Sequence, residues 1–399
     1  MTAAATTPAT SDGGRVAALF AGIGGIELGL HEAGFNTTLL CERDPSAARV
    51  LRAHFPEIDL ADDVIDLREL PPVDVVTAGF PCQDLSQAGR TAGISGSRSG
   101  LVEHVFRLLD GASEPPTWLL LENVSFMLSL DRGEAMRWLT FELDRRGFTW
   151  AYRIVDTRAF GLPQRRQRVL MVASRCADPR PILLNEEHGE VTVDDRSGLA
   201  CGFYWTEGVR GLGWAVDAIP TLKGGSTIGI PSPPAIWRPG TGTIVTPDLR
   251  DAERLQGFPA DWTSPAHEHS GKKRSDRWKL VGNAVSVPVA RWLGERLQVS
   301  ESYDTVRDAA LPPGARWPRA AWGRAGERHR VELSMWPVAW PRPHLHEFLA
   351  YEQHPLSARA TAGFLSRTRR GTLRIPEDLI CEAERHLATM RGEPLPLAA

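Results

Sequence analysis

Over its first ~175 residues the chain alternates short apolar runs with amphipathic helical stretches, and this constrains the fold more than any other feature. Apolar runs at 16–20, 37–41, 73–78, 118–121, 153–155 and 169–173 read as strands. Between them, 25–33, 45–54 and 134–146 read as helices, with Pro45 in a first turn and Gly147 as a stop. The pattern predicts a parallel α/β sheet covered by helices. A chain of 399 residues at 42% hydrophobic can bury a large core and has room for two or three domains.

Beyond this stretch the alternation breaks down. From 176 to 246 Gly, Pro, Ser and Thr dominate, with scattered aromatics such as Phe203, Tyr204, Trp205, Trp214 and Trp237. Helical patterns return at 247–256 and 287–297, followed by an Arg/Pro/Trp-rich segment and a helical tail. The expected organisation is a disordered tail (1–14), a catalytic domain (15–175 plus 275–300), a smaller loop-rich domain (176–274) and a C-terminal accessory module (301–399).

Five widely spaced cysteines without a Cys-x-x-Cys argue against a disulfide framework or zinc site and for a reducing cytoplasm. No apolar run reaches the ~20 residues that span a bilayer, and the N-terminus lacks a signal-peptide pattern. A net charge of −3 excludes a generic polyanion binder, but the basic residues cluster. Nine arginines against two acids fall between Arg145 and Arg180, and Lys272, Lys273, Arg274, Arg277 and Lys279 form a second island. Both fit a phosphate-tracking cleft. Between Arg316 and Arg374 eleven arginines face four acids, which suits either a DNA contact or a docking module.

Certain strand ends carry chemistry. Phe20-Ala-Gly-Ile-Gly-Gly25 joins the first strand to the first helix, where glycines let a ligand approach backbone amides. Glu27 stands where the dinucleotide fingerprint needs its third glycine, so a nucleoside without a pyrophosphate fits better than NAD. Glu42 ends the second strand, in position for ribose hydroxyls. Cys82, in Gly79-Phe-Pro-Cys-Gln83, follows the 73–78 run, and Glu122-Asn-Val124 follows 118–121. A thiol and a carboxyl group at two strand ends suit covalent catalysis on an electron-poor ring. In Gln164-Arg-Arg-Gln-Arg168, alternation places Arg166 and Arg168 on one face. Asn283, in Gly282-Asn-Ala-Val285, reads equally as the N-cap of the helix from Val287 or as a ligand contact.

These blocks, in this order and with Glu253-Arg-Leu-Gln-Gly-Phe-Pro259, closely resemble those of bacterial and phage DNA (cytosine-5) methyltransferases. The resemblance covers about residues 15–298. It implies a Rossmann-like, S-adenosylmethionine-dependent α/β sheet with a smaller target-recognition domain and, here, a C-terminal extension. It also implies double-stranded DNA as substrate, S-adenosylhomocysteine as product and no metal. Phe20, Gly22 and Gly24 would wrap the methionine part of the cofactor, Glu42 the ribose and Asp63 the adenine amine, with Leu101, Asn283 and Val285 closing the pocket. Cys82 would add to C6 of a flipped-out cytosine, Glu122 would meet N3, Arg168 the base carbonyl, and Arg166 would order the catalytic loop formed by 83–100. Base reading would fall near Thr221–Thr227 or Trp237-Arg238.

Leu280 and Arg43 depart from the family pattern without touching the chemistry. The expected protein is a monomeric, cytoplasmic, nucleoid-associated enzyme of restriction–modification, phage defence or DNA self-protection, with a restriction or defence protein as possible partner. An RNA cytosine methyltransferase and a non-catalytic binder are the alternatives.

Overall fold

The structure, a computed structural model, describes residues 13–80, 100–193, 195–224, 233–267 and 275–394. Cys82, most of the 83–100 loop, 225–232 and Lys272-Lys273-Arg274 lie outside these residues.

The strands are β1 (Arg15–Leu19), β2 (Asn36–Cys41), β3 (Asp59–Ala61), β4 (Val75–Ala78), β5 (Trp118–Val124), β6 (Thr149–Asp156), β7 (Gln164–Arg165), β8 (Gln167–Ser174), β9 (Cys201–Phe203), β10 (Trp214–Val216), β11 (Ile219–Pro220), β12 (Ala235–Trp237), β13 (Ile244–Thr246), β14 (Asp308–Ala310), β15 (Ala320–Arg324), β16 (Glu327–Val331) and β17 (His354–Pro355). The helices are α1 (Gly25–Glu32), α2 (Pro45–His54), α3 (Leu101–Asp110), α4 (Glu134–Asp144), α5 (Arg180–Leu184), α6 (Leu249–Arg254), α7 (Ser275–Asn283), α8 (Val287–Leu297), α9 (Leu345–Phe348), α10 (Ala358–Arg370) and α11 (Glu377–Arg391).

Ten strands form one sheet in the order β14-β16-β15-β6-β8-β5-β4-β1-β2-β3. From β3 to β5 neighbours are parallel, as the alternation predicts. Direction then changes: β8 is antiparallel to β5 and to β6, and β15, β16 and β14 continue antiparallel. The sheet is therefore mixed, because β8 returns beside β5 instead of crossing over. Val16, Val75, Val76, Leu119 and Val172 are fully buried in its core, as strands covered on both faces require. The helices that seat the site have local causes. Asp44 caps α2 by accepting from the Ser46 and Ala47 amides, and Pro45 opens its first turn.

A second sheet, β10-β9-β12-β13-β17, builds the smaller lobe from the loop-rich stretch. The proposed accessory module at 301–399 has no core of its own. Residues 308–331 extend the large sheet, with Ala320–Arg324 pairing along Thr149–Arg153. His354 and Pro355 extend the small sheet. Phe364 and Leu365 of α10 and Leu379 and Ala383 of α11 pack on Phe203 and Trp237. The C-terminal residues thus complete both lobes, since each sheet otherwise ends on an unpaired edge with an uncovered apolar face. No helix among the described residues is long and apolar enough to cross a membrane.

Candidate active site

The upper edge of the large sheet, where β1, β2, β4 and β5 end, opens into a cavity of about 470 Å³. It is lined by Phe20, Gly22, Glu42, Asp63, Leu101 and Asn283 of the expected cofactor set, and by Glu122 and Arg168. Gly79 and Phe80, which lead to Cys82, also line it.

The glycine loop follows from backbone geometry. Gly22 (φ 60°) and Gly24 (φ 84°) are left-handed, where a side chain is strained. A Cβ on Gly22 would meet nothing within 4 Å, whereas one on Gly24 would strike the Phe55 ring at 2.6 Å. Gly22 keeps the approach open, while Gly24, which is not in the cavity lining, makes the turn into α1. Phe20 also holds a left-handed φ of 59°, a costly conformation for an aromatic residue.

Glu42 staples this loop to the end of β2. One carboxylate oxygen accepts from the Gly22 amide and the other from the Asp44 amide, both at 2.7 Å. Burial pushes its pKa up, against those two bonds. Asp63 accepts from the Ile65 amide at 3.0 Å and pairs with the Arg43 guanidinium at 3.4 Å.

Glu122 lies within β5 rather than beyond it, because β5 runs on to Val124 and Glu122 pairs with Leu170 across the ladder. Arg168 Nε stands 2.9 Å from Glu122 Oε1, and both side chains are largely buried. That oxygen has no well-aligned hydrogen bond, so the contact is ionic in character. Burial lowers the Arg168 pKa, and Glu122 opposes the shift. Next to Glu122, the buried Asn123 donates to the Phe80 carbonyl at 3.0 Å, tying β5 to the peptide preceding Pro81.

Arg166 is brought to a different place. It is buried and donates to the carbonyls of Leu222, Gly282 and Ala284, at 3.3, 3.1 and 2.6 Å. Burial, then the charge of Arg168, holds its pKa well below the usual guanidinium value. Sequence reasoning missed the network around it. Gln164 donates to Gln256 at 3.1 Å, and Gln256 accepts from Ser286 at 2.7 Å and donates to the Val281 carbonyl at 2.9 Å. These residues join β7, α6 and the α7–α8 turn beneath the cavity. Their signal in the sequence is that both glutamines belong to quoted blocks, 164–168 and 253–259, which gave neither of them a role.

Several expectations need correction. Asn283 ends α7, and Ser286 takes the N-cap position of α8. A short non-helical turn at 284–286 separates two helices, of which only the second was expected. Val285 lies behind the cavity, beside Leu121, Glu122 and Leu170 around a smaller void. Of the pair expected near the bases, Trp237 is fully buried in the smaller lobe, while the polar Arg238 beside it is exposed. The arginine-rich stretch 145–180 is no free phosphate track. Arg146 pairs with Asp110 and Glu142, Arg153 with Glu187, Arg158 with Asp156, and Arg180 with Asp178. In the second island Arg277 holds the buried Glu253, and Lys279 pairs with Asp44.

A mixed α/β sheet whose upper edge carries a glycine loop, an acid stapled to it and a buried carboxylate–guanidinium pair fits the α/β methyltransferase class. The C-5 cytosine-specific DNA methylase family matches residues 14–196. Over 90% of its length the chain is 49% identical to the type II methyltransferase M2.BsuMI of Bacillus subtilis (strain 168), covering 94% of that protein. It is 31% identical to the type II methyltransferase M.NgoBI of Neisseria gonorrhoeae, over 68% of this chain and 89% of that one. The S. pombe Dnmt2 methyltransferase superposes with a TM-score of 0.52 over 71% of this chain and 98% of that one, at 18% identity, a likeness of fold. The chain belongs to the C-5 cytosine-specific DNA methylase family and is a DNA (cytosine-5) methyltransferase.

Proposed function

We propose that the enzyme methylates C5 of a flipped-out cytosine in a specific double-stranded DNA sequence, using a transient bond between Cys82 and C6. The observation that carries this reading is the buried Glu122–Arg168 pair on the wall of the cavity that the glycine loop opens. Glu122 holds the proton at N3 and meets the exocyclic amine, so that the Cys82 thiolate adds to an activated ring. Arg168 orients Glu122 and contacts the base carbonyl. After C5 has lost its proton, Cys82 leaves C6 and the ring is restored. Arg166 acts as a positioning residue that braces the floor of the site. C5 and C6 are blocked in a stacked duplex, which requires base flipping.

The cavity fits S-adenosylmethionine: Gly22 leaves open the space a Cβ would fill, and Glu42 and Asp63 present carboxylates to hydroxyl, amine and cationic groups. When bound, this cofactor supplies the methyl group for C5 and is released as S-adenosylhomocysteine. Phe20, Gly22, Glu42, Asp63, Leu101 and Asn283 would hold it, with Gly24 fixing the loop and Val285 backing the wall. The large lobe is the catalytic domain and the small lobe the target-recognition domain. Kinship with type II methyltransferases supports service in a restriction–modification system, beside a restriction endonuclease in the bacterial cytoplasm.

Expression in a methylation-free host followed by genome-wide mapping of 5-methylcytosine tests the activity. One enriched sequence motif is expected, and an unmethylated genome would contradict the reading.

A further inference from the structure

The three added strands carry a feature the reaction above does not use. Arg307 immediately precedes β14, Arg319 immediately precedes β15, and Arg330 is the penultimate residue of β16. Their strands are neighbours, and all three arginines line one cavity of about 370 Å³ with Glu332 as its single acid. The cavity has a packing cause. Arg330 faces Ala309 on one side of the ladder and Ala321 on the other, so two methyl groups flank it where large side chains would fill the space. All three arginines are exposed, and none joins an ion pair among the described residues. This sets them apart from the arginines of 145–180, most of which are bound to acids within the fold.

Their position on the sheet supplies the second argument. The Ile154 amide donates to the Arg319 carbonyl at 2.8 Å, and Ile154 pairs with Val169, which pairs with Asn123. Arg319 is therefore level with the residue beside Glu122, at the same upper edge of the sheet. Three to five strand steps separate β5 from β15, β16 and β14, or roughly 14–24 Å at about 4.8 Å each. With one phosphate per ~3.4 Å along each DNA strand, that is about four to seven nucleotides from the target base. We infer that Arg307, Arg319 and Arg330 form a phosphate clamp that grips the DNA backbone flanking the target cytosine. This rests on the DNA methyltransferase reading. Guanidiniums suit the task because their planar donors fit phosphate oxygens in pairs.

The test compares the full-length protein with a triple Arg→Gln variant (R307Q, R319Q, R330Q) and a triple Arg→Lys variant at the same positions. Binding to labelled random-sequence duplexes of about 12 and about 30 base pairs is measured across a salt series. Three lost phosphate contacts should lower the slope of log affinity against log salt by about 2.7 on the longer duplex. The fall in affinity between about 50 and about 200 mM salt then shrinks roughly 40-fold. The shorter duplex reaches only about six base pairs from its centre, and so only the nearer part of the clamp, and its slope should fall by less. The Lys variant should keep most of the slope, and both variants should keep the melting temperature of the parent. An unchanged slope on the longer duplex would overturn the clamp. So would a slope lost equally on both lengths, or binding of inorganic phosphate at the arginines without any effect on DNA. Failure of the methylation reading is separately visible, as a parent protein that binds DNA but leaves it unmethylated.

Discussion

The two halves of the ten-stranded sheet present opposite charge at the same edge. The parallel half ends in Glu42, Asp63 and Glu122, around a cavity suited to a cationic cofactor and a base. The antiparallel half ends in Arg168, Arg319, Arg330 and, just before β14, Arg307. The difference follows from chain direction. Parallel strands leave the sheet through loops into helices, so free backbone amides collect at their ends and hold carboxylates, as the Gly22 and Asp44 amides hold Glu42. Antiparallel strands turn back on one another, and there the charge comes from side chains, exposed at Arg307, Arg319 and Arg330 and buried against Glu122 at Arg168. The Glu122–Arg168 pair sits on the seam, with its acid on the last parallel strand and its arginine on the first antiparallel one. The pairing of these two side chains is thus a consequence of where the sheet changes direction.

Breaking the seam should have the largest effect. Glu122→Gln keeps the shape of the side chain but removes its charge and its proposed proton-holding role, and methyl transfer to DNA should fall by about 10²–10⁴-fold. Retention of full activity in a filter-binding assay with labelled cofactor would place the acid elsewhere. Arg166→Ala comes next and separates bracing from chemistry. It strands the carbonyls of Leu222, Gly282 and Ala284 in a buried site and should cost roughly 3–5 kcal/mol. Calorimetry should show a large loss of melting temperature, whereas a purely catalytic role would leave melting unchanged.

Glu27 gives a prediction of similar kind within the acidic half. It is buried in α1 and accepts from the Thr77 hydroxyl at 3.3 Å, and burial raises its pKa from 4.5 to about 7. A carboxyl group with a raised folded-state pKa favours the protonated fold. Its contribution is full below the unfolded value of 4.5 and is lost as pH rises through about 7. Glu27→Gln, which stays neutral, should gain on the parent by on the order of 3 kcal/mol at alkaline pH and by little at acid pH. Parallel pH–melting curves for the two proteins would contradict this. Arg43→Ala should do least. Its side chain is 75% exposed, and loss of the Asp63 contact should change stability by less than about 1 kcal/mol. A larger drop in chemical denaturation would show that Arg43 packs more firmly than its exposure indicates.

The parallel half was legible because its signals are local. Apolar runs give the strands, and the cavity collects Phe20, Gly22, Glu42 and Glu122 because each stands at or beside the end of such a run, whereas Asp63, which follows the unexpected strand β3, was legible only through the family resemblance. The antiparallel half was not. Nothing near 320–324 announces that it will pair with 149–153, because antiparallel pairing across so long a separation leaves no periodic trace. Arginine density was also a poor guide. Whether an arginine faces DNA or an acid of its own fold is decided by packing, against near neighbours for Arg158 and Arg180 and against a distant acid for Arg153. Asn283 misled locally, because a residue that ends one helix resembles one that caps the next.

Bonding of Cys82 to C6 of the target cytosine during methylation of C5 is best tested with a duplex carrying 5-fluorocytosine within the mapped motif. Fluorine at C5 cannot leave as a proton does, so the thiol cannot be released. The account predicts a denaturation-resistant protein–DNA adduct that mass spectrometry places on Cys82, and no adduct with Cys82→Ala. Methylation of ordinary duplex by Cys82→Ala, or an adduct on another residue, would contradict it.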